Sequence, residues 1–220
     1  MIQRLALLHT VVFLADMFKE LLKENLPNVE NFHIVDESIL QELLREGHLT
    51  PGIIRRIATQ AISARDAGAD LILFTCSSTS PAVDAARALL DVPILKVDDP
   101  LAEKAVELGE RIGVVASAHT TLGPSVSLIE AHAAKVGKEV KVTAKLESQA
   151  FQAIMSGDRQ EHDKRVKDAA IQLAKSNDVV VLAQASMAHL SEELTKSVSV
   201  AVLASPNLCM SALKKLSMDS

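Results

Sequence analysis

Asp70-Leu-Ile-Leu-Phe74 and Asp178-Val-Val-Val-Leu182 share one pattern, an aspartate followed by four apolar residues, at an offset of 108 positions. Three more pairs of segments recur in the same order at offsets of 106 to 108. These pairs are 4–8 with 111–115, 91–95 with 199–203, and 99–101 with 205–207. Four matches in one order indicate that the chain contains a duplicated unit of about 107 residues.

Each half alternates short apolar runs with amphipathic stretches. The runs lack polar alternation, which predicts strands buried on both faces. They lie at 5–8, 71–74, 92–95, 112–115, 179–182 and 200–203. Alternating strands and helices predict an α/β fold of two pseudo-symmetric domains, each a parallel sheet flanked by helices. We expect a first domain of residues 1–97 plus 205–220, because the last helix crosses back, and a second of residues 98–204.

Prolines and glycines indicate where helices begin and end. Four residues with capping side chains each precede a proline, which predicts a helix with Pro in its first position. They are Thr50, Ser80, Asp99 and Ser205. Glycines favour the ends of helices and turns. Four lie at such places: Gly47, Gly68, Gly109 and Gly137.

The composition excludes several classes of protein. Of 220 residues, 48% are hydrophobic and 2% aromatic, and the net charge is −5. We therefore expect neither a membrane protein nor a nucleic-acid partner, since basic stretches and aromatic stacking platforms are missing. The two cysteines, Cys76 and Cys209, are too few for a disulfide scaffold and fit the reducing cytoplasm. The histidines show no metal-ligand spacing and no nucleotide-binding motif occurs, so we expect no metal and no cofactor.

The candidate site residues follow the predicted strands, because ligands bind beyond the carboxyl ends of parallel strands. In the first half these are His9, Thr10 and the stretch Thr75-Cys76-Ser77-Ser78; in the second they are Ser117, Thr120 and Gln184-Ala185-Ser186. Two halves that face each other would bring these loops into one active site in the interdomain cleft. Cys76 lies between a buried strand and a helix start, where backbone N–H groups favour a carboxylate or a thiolate. The alternative interpretation is a buried structural cysteine.

Three segments give the chain a resemblance to a known superfamily. They are 72–78, 180–187, and 111–117 with Thr120 and Thr121. They resemble the aspartate/glutamate/hydantoin racemase superfamily, which includes cofactor-independent amino-acid racemases, arylmalonate decarboxylase and maleate isomerase. The resemblance spans the whole chain. It implies an enzyme that acts without a cofactor on a small carboxylate or amino acid, and it suggests a homodimer.

The resemblance also implies a mechanism from which this chain departs. The racemases carry a cysteine at each of two matching sites, so that one thiolate removes a proton and the opposite thiol returns it to the other face. Here the first site holds Cys76, but the second holds Gln184. An amide neither gives nor takes a proton at a useful pH, although it can donate a hydrogen bond to a carboxylate or an enolate.

Three interpretations stay open. In the first, Cys76 is the sole acid/base or nucleophile of an isomerase or racemase-like enzyme, with a single-cysteine decarboxylase or lyase as the alternative. In the second, Ser186 or His189 supplies the missing acid on the far side. In the third, the chain is a non-catalytic protein that binds a small carboxylate.

The other site residues are predicted to bind the substrate through hydroxyl, backbone or ring groups. They are His9, Thr10, Ser77, Ser78, Ser117, Thr120, Ala185 and Ser186. We expect Gln184 to hold an enolate or a second carboxylate. The loops offer serine, threonine, glutamine and one thiol, with only Phe13 and Phe74 as nearby aromatic residues. Such a lining predicts a short aliphatic carboxylate rather than an aromatic substrate.

Overall fold

The strands of the computed structural model, which describes residues 2–218, form two separate parallel sheets of four strands each. The chain divides into two compact units: one holds the segment up to Val97 and the segment from Pro206 onward, and the other holds Asp98–Ser205. Each sheet is flanked by helices. The predicted α/β fold class with two related domains is therefore confirmed.

The first unit has four strands and five helices among the described residues. In chain order these are β1 (Arg4–His9), α1 (Val12–Asn25), β2 (Glu30–Val35), α2 (Glu37–Glu46), α3 (Pro51–Asp66), β3 (Leu71–Phe74), α4 (Ser80–Arg87) and β4 (Ile94–Lys96). The fifth helix follows the second unit in the sequence. A short 3₁₀ segment, Ser77–Thr79, joins β3 to α4. The strand order is β2-β1-β3-β4, so that β1 and β3 lie in the centre.

The second unit repeats this plan. Its elements are α5 (Asp99–Leu108), β5 (Arg111–Ala116), α6 (His119–Lys135), β6 (Lys141–Leu146), α7 (Ser148–Met155), α8 (Arg159–Ala174), β7 (Val179–Leu182), α9 (Ser191–Ser197) and β8 (Ala201–Ala204). The 3₁₀ segment Ala185–Leu190 follows β7, and α10 (Ser205–Met218) returns the chain to the first unit. The strand order β6-β5-β7-β8 has the topology of the first sheet, as the duplication predicts.

Two edge strands, β2 and β6, are missing from the sequence-based prediction. The rule of continuous apolar runs finds central strands, because both of their faces are buried. β2 and β6 are edge strands, as are β4 and β8, but unlike those two they contain no buried residue. Their sequences alternate apolar and polar side chains instead, which is typical of strands with one face toward solvent. His33 lies on β2.

The predicted helix boundaries hold at Thr50 and need correction at three other positions. Thr50 caps α3, since its side-chain oxygen accepts from the Ile53 amide at 3.2 Å, and Pro51 is the first helical residue. Ser80, Asp99 and Ser205 are instead the first residues of their helices, which moves each proline to the second position. For α4 and α5 the reason is that the preceding residue already has helical φ and ψ angles.

The cores of both units are almost entirely aliphatic. In the first, Ile39, Ile53 and Ile57 pack with residues of the central strands, and Phe18 on α1 is fully buried. The second uses chiefly valine, alanine and leucine side chains from β5, β7, β8, α8 and α9. None of the helices among residues 2–218 is long and apolar enough to cross a membrane.

An aspartate ties the two central strands of each unit together. Asp70, which precedes β3, accepts from the backbone amides of Gln3 and Arg4 at 2.7 and 3.1 Å. Asp178, which precedes β7, accepts from the amides of Glu110 and Arg111 at 3.1 and 2.8 Å. These aspartates are the first residues of the repeated segments 70–74 and 178–182. The duplication therefore preserves a contact between strands as well as an apolar run.

In the second unit, the contact made by Asp178 also includes an ion pair. The Arg111 guanidinium donates to Asp178 Oδ1 at 3.0 and 2.5 Å, and these hydrogen bonds, with those of the backbone amides, lower the pKa of Asp178 from 3.8 to about 2. The backbone passes closely here: a Cβ atom at Gly109 would lie 2.6 Å from the Asp178 Cβ, so glycine is required for the approach.

We predict that Asp178→Asn destabilises the protein at neutral pH and that its effect shrinks in acid. The folded-state pKa of Asp178 lies below its unfolded value, so the carboxylate stabilises the fold above about pH 4 and loses this effect as the pH falls toward 2. Urea midpoints at pH 7 and pH 2.5 measure the difference. Asp91→Asn is the control, because its ion pair with Arg65 is largely exposed and should contribute little. An unchanged Asp178→Asn effect at both pH values would contradict the assignment.

Candidate functional site

In the first unit, Cys76 lies directly beyond the carboxyl end of the central strand β3. β1 is its neighbour, and the Thr75 amide donates to the Leu8 carbonyl at 3.1 Å, which extends the pairing to the residue before the cysteine. Cys76 has extended backbone angles and begins the 3₁₀ segment Ser77–Thr79. Its 9% exposure contrasts with the complete burial of Cys209 on α10. Neither cysteine forms a disulfide.

The turn after Cys76 is held in one conformation by Thr79. Both the amide and the hydroxyl of Thr79 donate to the Cys76 carbonyl, at 3.2 and 3.0 Å. Ser77 and Ser78 are buried within this turn. The structure thus brings three predicted site residues into one hydrogen-bonded turn at the end of β3.

Thr10 follows β1 and is buried, with 6% exposure. Its hydroxyl oxygen has no hydrogen-bond partner within residues 2–218. A buried hydroxyl without a partner is costly, and a ligand atom or a water can satisfy it. The Thr10 hydroxyl at this strand end can therefore form a hydrogen bond with a ligand or a water.

His9 belongs to a hydrogen-bonded chain and leaves no ring nitrogen for the thiol. Its Nδ1 lies 2.8 Å from Thr75 Oγ1, and its Nε2 lies 2.8 Å from Nδ1 of His33. The Thr75 hydroxyl donates to the Leu8 carbonyl, so it accepts from His9 Nδ1–H, and His9 in turn accepts from His33 Nδ1–H. Both ring nitrogens of His9 are therefore engaged in hydrogen bonds, one of them to the side chain of Thr75, the residue before Cys76.

Burial lowers the pKa of both histidines. Desolvation, reinforced by the charge of His33 and of Lys19, lowers the pKa of His9 from 6.5 to about 3. Burial also lowers the pKa of His33, and its Nε2 atom is buried without a partner among the described residues. Sequence reasoning missed His33, although the alternation of Phe32 and Ile34 toward the core places it on the opposite face of β2.

In the second unit, Gln184 occupies the position that corresponds to Cys76. It follows β7 with extended backbone angles and begins the 3₁₀ segment Ala185–Leu190. Its Oε1 accepts from the Ser117 amide at 2.6 Å, the Ser117 hydroxyl at 2.9 Å and the Ala118 amide at 3.3 Å. Gln184 and Ser117, both predicted site residues, are thus in contact at the ends of β7 and β5.

The duplication offers an internal comparison. Thr10 follows β1 as Ser117 follows β5, and Cys76 follows β3 as Gln184 follows β7. The Ser117 hydroxyl donates to the glutamine side chain, whereas the Thr10 hydroxyl has no partner in the described part of the chain. A cysteine side chain ends at Sγ, two bonds short of the oxygen of a glutamine, so the first unit leaves the corresponding hydroxyl free to bind.

The remaining candidates of the second unit lie close to these strand ends. Thr120 is buried in the first turn of α6, Ala185 is buried and Ser186 is half-buried. His189 Nε2 donates to the Asp163 carboxylate on α8 at 2.8 Å, which engages the ring with another helix. No cluster of metal-ligating side chains occurs within the described part of the chain.

The chain matches the model of the family described as Asp/Glu/Hydantoin racemase over residues 12–213. None of the curated proteins compared with it matches. Solved structures do match. The aspartate racemase of Picrophilus torridus has a TM-score of 0.75 at 13% identity, covering 98% of this chain and 94% of that one. The glutamate racemase RacE1 of Bacillus anthracis has a TM-score of 0.72 at 17% identity, covering 99% and 82%.

A third similar structure is the allantoin racemase of Klebsiella pneumoniae, with a TM-score of 0.69 at 16% identity, covering 98% of this chain and 88% of that one. At these identities the structures establish a common fold across both units, while the family model adds a match in sequence.

We predict that the buried histidine makes stability depend on pH below neutrality. The unfolded chain takes up a proton at His9 near pH 6.5 and the folded chain only near pH 3, so the free energy of unfolding falls between these values. The contribution of one proton is at most about 1.4 kcal/mol per pH unit. Denaturation between pH 7 and 5 should show a smaller slope for His9→Gln than for the wild type. His48→Gln, at an exposed ring, serves as control. Equal slopes for wild type and His9→Gln would contradict the prediction.

Proposed function

The chain belongs to the Asp/Glu/hydantoin racemase family, which supports a racemase-like isomerase activity, and we propose that Cys76 transfers a proton at an acidic carbon of a small carboxylate or amino acid. The observation that carries the proposal is the position of Cys76 in the first unit. It lies at the end of the central strand, in a turn that Thr79 closes by hydrogen bonds, and the neighbouring strand β1 is followed by Thr10, whose hydroxyl has no partner among the described residues.

Cys76 is the group at this strand end that is suited to acid/base chemistry. A thiol ionises far more readily than the hydroxyls of Ser77, Ser78 and Thr79 that follow it. His9 lies at the end of the neighbouring strand β1, but both of its ring nitrogens are engaged and its low pKa keeps it neutral. We assign acid/base or nucleophilic catalysis to Cys76 and positioning of Thr75 to the histidine.

The substrate carboxylate is assigned to the hydroxyl groups around the thiol. Thr10 supplies an unpartnered O–H, and Ser77 and Ser78 lie in the rigid turn that follows Cys76. Few aromatic side chains occur in the chain, which favours a short aliphatic substrate. Relatives of the same fold bear names that specify aspartate, glutamate and allantoin as the molecules they racemise.

Gln184 limits what this enzyme does after the proton is removed. Inversion requires a second acid/base on the opposite face of the carbon, and an amide cannot serve. We therefore propose one-sided proton transfer by Cys76. A decarboxylase is the second candidate that Gln184 favours, because loss of CO₂ leaves an enediolate that a single thiol can protonate at carbon.

We predict that Cys76 is required for exchange of the substrate's α-hydrogen. Alanine, aspartate, glutamate and 2-methylmalonate are incubated with the protein in D₂O and followed by NMR. Deuterium should enter an active acid without inversion, or carbon dioxide should be lost from the malonate. Cys76→Ala should slow either reaction by at least about 10²-fold, the usual contribution of a general acid or base.

Cys209→Ala is the matched control, since its thiol is fully buried on α10, and it should retain the activity. Mild iodoacetamide should modify Cys76 faster than Cys209, and an active acid should protect it. Activity that survives Cys76→Ala would refute the catalytic assignment. A thiol protected by these acids without any exchange or CO₂ loss would instead indicate a carboxylate-binding protein.

A second thiol at position 184 provides a gain-of-function prediction. Gln184→Cys restores the cysteine that racemases of the superfamily carry there, so deuterium incorporation should become coupled to inversion. Circular dichroism of the substrate measures inversion directly. Gln184→Ser, which shortens the side chain without adding a thiol, is the control and should give none. Failure of Gln184→Cys to invert a substrate that Cys76 exchanges would show that the two positions do not serve one carbon.

A further inference from the structure

The turn between β5 and α6 already holds an acceptor from the chain itself. Three donors converge on Gln184 Oε1: the amides of Ser117 and Ala118 and the Ser117 hydroxyl, at distances of 2.6 to 3.3 Å. Backbone amides joined by a hydroxyl at the start of a helix are the groups with which proteins bind carboxylates. In this protein an uncharged side chain fills that place.

The hydrogen bonds fix which way the amide of Gln184 points. Two backbone N–H groups can only be satisfied by an acceptor, so the oxygen must face Ser117 and Ala118. The Nε2 group therefore points away from the turn. It is the part of the side chain that is left to donate to a ligand.

We propose that Gln184 is a resident substitute for a ligand carboxylate, which closes the Ser117–Ala118 turn to a second carboxylate and so determines specificity. A substrate with a single carboxylate does not compete with the amide. A dicarboxylate places its second anionic group in the turn only by displacing Gln184. The consequence for substrate choice rests on the proposed function, whereas the occupancy of the turn does not.

The competition favours the side chain because it is intramolecular. Gln184 is tethered next to the donors, so its effective concentration exceeds that of a ligand in solution. A carboxylate makes stronger, charge-assisted bonds to the same donors. Removal of the side chain should therefore expose a carboxylate site that is weak or silent in the wild-type protein.

The test is an NMR titration of the ¹⁵N-labelled protein with acetate, in the absence of any substrate. In Gln184→Ala, the amide resonances of Ser117 and Ala118 should shift saturably, with an acetate affinity about tenfold or more above that of the wild type. Gln160→Ala, at an exposed position of α8, is the matched control and should bind acetate as the wild type does. Chloride at equal ionic strength separates carboxylate binding from a general salt effect.

Gln184→Glu keeps the side-chain length and tests the same donors without a cavity. Its carboxylate should sit on them, with a pKa below the ordinary value of about 4.3 measured by ¹³C NMR. Equal acetate affinity in wild type and Gln184→Ala, no response in either, or an ordinary pKa in Gln184→Glu would overturn the proposal. Loss of Cys76 chemistry leaves these readouts unaffected, so failure of the proposed function is distinguishable.

Discussion

Burial of the central strands on both faces determines where this protein can carry chemistry. β3 and β7 consist of four buried aliphatic or aromatic residues each, and helices cover both sheets. A polar side chain within these strands would lose its hydration without a partner. Polar groups are therefore concentrated where the strands end, and the first residues beyond them are Thr75 with Cys76 and Ala183 with Gln184. The candidate site residues therefore lie just beyond the buried core strands.

The sequence is sufficient to predict the central strands, the duplication and the correspondence of Cys76 with Gln184, because each depends on local residue type and spacing. It does not predict β2, whose alternating pattern is weak at a half-exposed edge. The sequence also does not predict the hydrogen bond between Gln184 and Ser117. These residues are 67 positions apart, and the bond depends on the direction of the backbone amides in the β5–α6 turn. His33 reaches His9 for the same kind of reason, through strand pairing rather than spacing.

The two copies of the duplicated unit differ in the side chains that follow their central strands. Both copies place a hydroxyl after the first central strand and a variable side chain after the second. Where the variable side chain is cysteine, the hydroxyl of Thr10 stays without a partner; where it is glutamine, the hydroxyl of Ser117 is bound. One copy thus carries a thiol and a hydroxyl without a partner among the described residues, while the other carries an amide whose oxygen accepts from the hydroxyl. The asymmetry resides in one side chain on an otherwise shared framework.

Because α10 belongs to the first unit, the two units are completed at different times during synthesis. Residues 98–205 form the second unit without interruption, whereas the first unit needs the segment from Pro206 onward, which contributes the buried Cys209, Met210 and Leu213. Domains fold as units while the ribosome synthesises the chain from its N-terminus. The half that carries Cys76 is thus begun first and completed last. The uninterrupted half can fold on the ribosome before its partner has received its final helix.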